Sequence, residues 1–95
     1  MQELLTQDEI NRALANELPQ WRQEGDAITR SVEAPSFMDG IRLVQAVAEV
    51  AEELNHHPDI DIRWTTVTFT LSTHSAGGLT REDLRLAGDI DRLAG

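Results

Sequence analysis

The chain has 95 residues, no cysteine and a formal net charge of −9 from 8 basic and 17 acidic residues. That length predicts a single domain, residues 1–95, with a thin core to which self-association would add buried surface. The missing cysteine excludes disulfides, a thiol nucleophile and Cys-based metal sites, and the acidity argues against nucleic acid, which needs clustered Lys and Arg.

The N-terminus MQELLTQDEINRAL carries no basic segment followed by an apolar run, so no signal peptide is expected. No stretch approaches the roughly 18 apolar residues of a membrane span. The cytoplasm is the expected compartment, with no membrane partner.

In chain order, the first helix is expected from Thr6. Thr6 and Glu9 have capping-box spacing, and Leu5 and Ile10 that of a hydrophobic staple. Ile10, Ala13, Leu14 and Leu18 make its apolar stripe, and Pro19 stops it. Trp21–Glu24 and Ala27–Val32 read as a hairpin around Gly25-Asp26. A long helix follows Pro35, with Ser36 as N-cap and Asp39 at N3. Its apolar residues fall in two adjacent stripes, one through Phe37, Ile41, Val44, Ala48 and Ala51, the other through Leu43, Val47, Val50 and Leu54. So wide a face implies burial against a sheet and a second subunit. Asn55 suits a left-handed C-terminal position and Pro58 forbids continuation.

Asp59–Trp64 reads as a strand and Thr65–Ser72 as a clean one. Val67, Phe69 and Leu71 take one face, and Thr66, Thr68, Thr70 and Ser72 the other. The loop His74-Ser75-Ala76-Gly77-Gly78 leads to a last helix. There Thr80 and Asp83 repeat the capping-box spacing, Leu79 and Leu84 the staple, and Leu86, Ile90 and Leu93 form the stripe. Consecutive strands without alternating helices predict an α+β fold: a four-stranded antiparallel sheet with three helices packed on one face.

All three histidines lie between positions 56 and 74. Glu52 stands four residues before His56, a spacing that puts both on one helical face and lets the carboxylate orient the imidazole. His57 precedes proline and is pushed towards an extended backbone, so the two adjacent rings should diverge. Imidazoles suit proton transfer near neutral pH. Divergent neighbouring rings, without HxH or HExxH spacing, argue against a zinc site and hence against a metal-dependent hydrolase.

The run Glu52-x-x-x-His56-His57-Pro58, five residues, Trp64, nine residues, His74 and then Asp83 resembles the signature of the pterin-4a-carbinolamine dehydratases. Ser72-Thr73-His74 and Gly78-Leu79-Thr80 resemble that family's loop after the last strand, and the similarity runs from about Leu5 to the C-terminus. The resemblance implies removal of water from a 4a-hydroxytetrahydropterin to give a quinonoid dihydropterin, in the recycling of a tetrahydrobiopterin-type cofactor. It implies no metal and no other cofactor. The catalytic set falls on His56, His57 and His74, and substrate-binding positions on Glu52, Trp21 and Asp59. In the scheme this suggests, His57 and His74 exchange protons while His56, with Glu52, orients the hydroxyl and the ring. Trp64 reads as a packing aromatic, Asp83 as the N3 residue of a capped helix, and Trp21 equally as a core aromatic. Arg81-Glu82-Asp83 departs from the family's acidic-basic-Asp order, which puts any role of a basic residue at position 82 in doubt. The expected partners are a small pterin substrate and further copies of the chain, as a homodimer or homotetramer. The rival reading is a non-catalytic dimerisation partner or assembly chaperone of the same fold, which need not keep three histidines and Glu52 together.

Overall fold

The computed structural model describes residues 3–95. Helix α1 spans Gln7–Asn16, and strands β1 (Arg22–Glu24) and β2 (Ala27–Glu33) form a hairpin. The long helix α2 (Phe37–Leu54) precedes β3 (Asp59–Arg63) and β4 (Thr66–Leu71). A short 3-10 turn, His74–Ala76, leads into α3 (Arg81–Ala94). The sheet is antiparallel throughout, in the order β1-β2-β4-β3. The expected architecture, three helices against a four-stranded antiparallel sheet, is the one found.

Register separates the two faces of the sheet. Ile28, Arg30 and Val32 of β2 lie opposite Leu71, Phe69 and Val67 of β4, and Ile60 and Ile62 of β3 pair with Phe69 and Val67. These side chains point towards the helices, where Ile28, Val67, Phe69 and Leu71 are fully buried with Leu86 and Ile90 of α3. Each such side chain contributes about 1.5–3 kcal/mol. The opposite face is polar. Thr29 meets Thr70 and Ser31 meets Thr68 through their hydroxyls at 3.2 and 2.8 Å. Glu33 accepts from the hydroxyls of Thr65 and Thr66, which hold its carboxyl below the usual range.

The chain ends its helices as its sequence dictates. Thr6 and Glu9 close a capping box, Ser36 Oγ accepts from the Asp39 N–H, and Asn55 takes the left-handed conformation at φ 52. Gly40 lets α2 approach the sheet, since a Cβ there would stand 3.3 Å from Val67 Cγ2.

One aromatic position corrects the sequence reading, and a second takes the core alternative that the sequence left open. Trp64 is not a packing aromatic: it is 87% exposed at the β3–β4 turn, in a left-handed conformation at φ 53. Trp21 is 4% exposed in the core, and its indole N–H donates to Asp91 of α3 at 2.8 Å. The same carboxylate pairs with Arg30, so one acidic residue on α3 serves two buried donors from the sheet side. On α2 the stripe through Val47 faces the core together with Val44 and Ala51 of the other stripe, whereas Phe37 and Ala48 of that other stripe, and Met38 beside it, remain exposed.

Candidate active site

The site forms where α2 stops and where β4 runs out. After Leu54, Asn55 reverses the backbone twist, and the His56 N–H returns to the Ala51 carbonyl at 3.0 Å, a Schellman-type closure. Because the helix ends there, His56 and His57 do not continue its 100° spacing and their rings diverge. After β4, Thr73 and Gly78 pair across a small loop through bonds of 2.9 and 3.3 Å. The carbonyl of Thr73 also accepts from Ala76 and Gly77, each at 3.0 Å. His74 therefore sits on a loop closed at its base.

The two chain ends face each other across a cleft of about 660 Å³, lined by Asn55, His56 and His57 on one side and Ser72, Thr73, His74, Ser75 and Ala76 on the other. The three histidines, 18 positions apart in sequence at their extremes, thus share one cavity. Its size falls in the ordinary range for small-molecule sites.

The carboxylate partners differ from the sequence expectation. Glu52 does not reach His56. It contacts His57 Nε2 at 2.5 Å, with side-chain exposures of 75% for Glu52 and 53% for His57. His56 Nε2 instead meets Asp83 Oδ1 at 2.6 Å, where Asp83 is fully buried and His56 is 10% exposed. The cause is the left-handed Asn55: four-residue helical spacing no longer applies beyond Leu54, and His56 is swung inwards to the start of α3.

Asp83 is thus more than a helix cap. Its Oδ2 accepts from the Thr80 N–H at 2.9 Å and from the Thr73 hydroxyl at 2.7 Å, while Oδ1 takes His56. Since Thr73 spends its proton on Asp83, the 2.8 Å contact between the two threonine hydroxyls is donated by Thr80. A buried carboxylate with three donors is fully satisfied. A carboxylate only accepts, so the proton in its contact with His56 is carried by the imidazole, which leaves Nδ1 as the ring's remaining polar atom.

Asp59 and Trp21 do not line this cleft. Asp59 lies beside it, in a depression of about 310 Å³ that also includes Ser72 and His74. Trp21 belongs to the core, as described above. Thr73 and the buried role of Asp83 were not read from the sequence, since the Thr80–Asp83 spacing is sufficiently explained by capping. Among the described residues, no three His, Cys, Asp or Glu side chains are grouped as metal ligands, and no helix is long and apolar enough to cross a membrane.

A family model described as pterin 4 alpha carbinolamine dehydratase matches residues 3–93. The chain belongs to this family. Among curated dehydratase relatives, a protein of Mycobacteroides abscessus is 59% identical over 92 residues, covering 97% of each chain. One of Nocardia farcinica is 61% identical over 92 residues, covering 97% of this chain and 96% of its own. Both carry the name pterin-4-alpha-carbinolamine dehydratase provisionally. Among solved structures, a transcriptional coactivator/pterin dehydratase from Brucella melitensis matches with a TM-score of 0.93 and 35% identity, over 98% of this chain and all of that one. A pterin dehydratase-like protein described as a RuBisCO assembly factor of the alpha-carboxysome matches less fully, with a TM-score of 0.68 and 26% identity over 80% of this chain.

Proposed function

We propose that this protein is a 4a-hydroxytetrahydropterin dehydratase working by histidine acid/base catalysis. The observation that carries the reading is the convergence of His56, His57 and His74 on one cleft, two of them with carboxylate partners. The reaction breaks the C4a–O bond and removes the N5 proton, giving water and a quinonoid dihydropterin. It asks for one acid and one base beside a flat heterocycle, and for no nucleophile.

His57 and His74 are the pair that moves protons. Both are exposed, so each can re-equilibrate with water after turnover. One protonates the departing hydroxyl as the other receives the N5 proton, and both return to their starting states when the two protons exchange through solvent. His56 is suited to a different task. Held by buried Asp83, it presents a fixed ring edge that orients the hydroxyl and the heterocycle. Glu52 fixes the His57 ring, and so exposed a pair contributes little beyond orientation.

The chain is further proposed to work as a homo-oligomer in the cytoplasm. Phe37 and Met38 on the first turn of α2, and Trp64 at the tip of the β3–β4 turn, are large apolar side chains left more than half exposed. Among the described residues, no helix covers the polar Thr66/Thr68/Thr70 face. Light scattering at micromolar concentration should give a mass above 10.6 kDa, and a monomer there would refute the assembly.

The assembly-factor neighbour keeps a non-catalytic reading in view, and turnover decides between them. Stopped-flow measurement on a synthetic 4a-hydroxytetrahydropterin should show dehydration accelerated by the protein. His57→Ala and His74→Ala should each lower kcat by about 10²- to 10⁴-fold with a smaller effect on binding. The double variant should lose less than the product of the single losses. Variants that bind weakly yet turn over normally would show that the histidines only hold substrate.

A further inference from the structure

Thr73 is 4% exposed and stands immediately before His74. Its backbone closes the loop that carries His74: the N–H donates to the Gly78 carbonyl at 2.9 Å, and the carbonyl accepts from Ala76 and Gly77, each at 3.0 Å. Its hydroxyl points out of the loop. It donates to Asp83 Oδ2 at 2.7 Å and accepts from the Thr80 hydroxyl at 2.8 Å, while Asp83 Oδ1 holds His56. Neither the local backbone nor the helix cap asks for this hydroxyl. Thr73 is extended, at φ −104 and ψ 96, where valine is equally at ease. The cap of α3 already has the Thr80 N–H on Oδ2 at 2.9 Å.

We infer that Thr73 is a positioning residue whose hydroxyl, acting through Asp83, fixes the His56 ring relative to the loop that carries His74. The consequence for turnover rests on the dehydratase reading. A carboxylate turns about its Cβ–Cγ bond unless both of its oxygens are held. The Thr73 hydroxyl and the Thr80 N–H hold Oδ2 together, and a hydroxyl donating to a carboxylate makes a strong, charge-assisted bond. Oδ1 is then left facing the imidazole. Because the hydroxyl belongs to the residue before His74, the same bond ties the His74 loop to the carboxylate. Both walls of the cleft are thus referred to one buried group, which is 0% exposed. A valine at position 73 would fill the same volume but leave Oδ2 with one donor and the Thr80 hydroxyl without its acceptor. The Thr80 hydroxyl and the carboxylate should then turn towards each other. His56 loses its fixed orientation although every residue lining the cleft, Thr73 apart, is unchanged.

The test compares Thr73→Val, Thr73→Ser and Thr29→Val in the full chain. Thr29 is a control of the same kind. It is 5% exposed, and its hydroxyl donates to the Phe69 carbonyl at 3.1 Å, away from the residues that line the cleft. With a synthetic 4a-hydroxytetrahydropterin, Thr73→Val should lower kcat by about tenfold or more and change KM less, because a misplaced group costs rate before affinity. Thr73→Ser keeps the hydroxyl and should keep the rate. Thr29→Val should lose stability alone. NMR of the 15N-labelled His56 ring gives a readout that needs no substrate. The unaltered chain and Thr73→Ser should show a ring N–H protected from solvent exchange, and in Thr73→Val that proton should exchange faster. If Thr73→Val does not fold, Thr73→Cys takes its place, since a thiol is a weak donor of similar size. In the folded variant, an unchanged ring N–H overturns the inference. So does an unchanged kcat, or a Thr29→Val loss of turnover as large as that of Thr73→Val. If the chain has no dehydratase activity but the ring N–H follows the hydroxyl, the dehydratase reading falls and the positioning of His56 stands. An active dehydratase in which the ring N–H and kcat ignore the hydroxyl does the reverse.

Discussion

The chain contains two capping boxes of nearly the same spelling, Thr6-x-x-Glu9 and Thr80-x-x-Asp83, with unlike fates. At the start of α1, Glu9 accepts the Thr6 N–H at 2.8 Å and Thr6 Oγ1 accepts the Glu9 N–H at 3.1 Å. Thr6 is exposed and Glu9 half-buried, and Arg81 is drawn in at 3.6 Å. At the start of α3 the carboxylate is fully buried. It holds the Thr80 N–H, the Thr73 hydroxyl and His56, and the Thr80 hydroxyl also meets Thr73. The first box ends a helix. The second, built on the same local rule, joins α3, the His74 loop and the end of α2 at one carboxylate. A capping residue at a buried helix start cannot leave an oxygen unused, because an unsatisfied charge in the interior is costly. Burial therefore recruits donors from other elements, and here one of them is a histidine of the candidate site.

Deleting the shared carboxylate should break the comparison most severely. Asp83→Ala leaves the Thr73 hydroxyl, the Thr80 N–H and the His56 ring without their acceptor in a closed space. A loss of about 3–5 kcal/mol is expected from removing one member of a buried charged network. Denaturant unfolding of the variant should show it as a lowered midpoint. A loss below about 1 kcal/mol, the scale of an ordinary cap, would mean that the second box is no more than the first.

Asp83→Asn sharpens the same contrast without emptying the space. The amide oxygen can still accept from Thr80 and Thr73, but its NH2 then faces His56 Nε2 and demands a lone pair there. The ring must adopt the other tautomer, with its N–H turned to the cleft. Stability should fall less than in Asp83→Ala. Turnover should drop by at least about tenfold, as when carboxylates that orient functional histidines are lost elsewhere. Substrate affinity should fall less than kcat, and the pH profile should shift. An unchanged profile would reduce Asp83 to a structural cap.

How much of this was legible in the sequence follows the range of each rule. The alternation of Val67, Phe69 and Leu71 with threonines fixed a strand and its inner face, and both capping boxes, the Ser36 cap and the Asn55 terminus were readable within four residues. The Glu52–His56 pairing failed because it extended helical spacing across a residue already assigned to a left-handed terminus, and the contact found spans five positions. Trp21 could not be placed, because its partner Asp91 lies 70 positions away. The burial of Asp83 was equally hidden: nothing in Thr-x-x-Asp reveals whether solvent or His56 will meet the second oxygen.

The smallest expected effect lies at the exposed box and carries a sign that the buried one need not share. Glu9 has its carboxyl held below the usual value of 4.5, chiefly by the hydrogen bond from the Thr6 backbone, with smaller help from the Thr6 hydroxyl, Arg81 and Arg12, against a partial cost of burial. A depressed folded value means that the unfolded chain binds the proton more readily. The stabilisation is therefore complete above about 4.5 and is lost as pH falls through the lower, folded value. Glu9→Gln removes the charge and this dependence with it. Near neutral pH the variant should be slightly less stable than the unaltered chain, and the difference should shrink as the solution is acidified below 4.5. Dehydratase turnover should not change, since the α1 cap touches neither the histidines nor the cleft. Thermal unfolding of both proteins across that acid range is the measurement. If their stabilities remain parallel down through the folded value, the Thr6 bond does not favour the ionised carboxylate, and the exposed box is held by its threonine half alone.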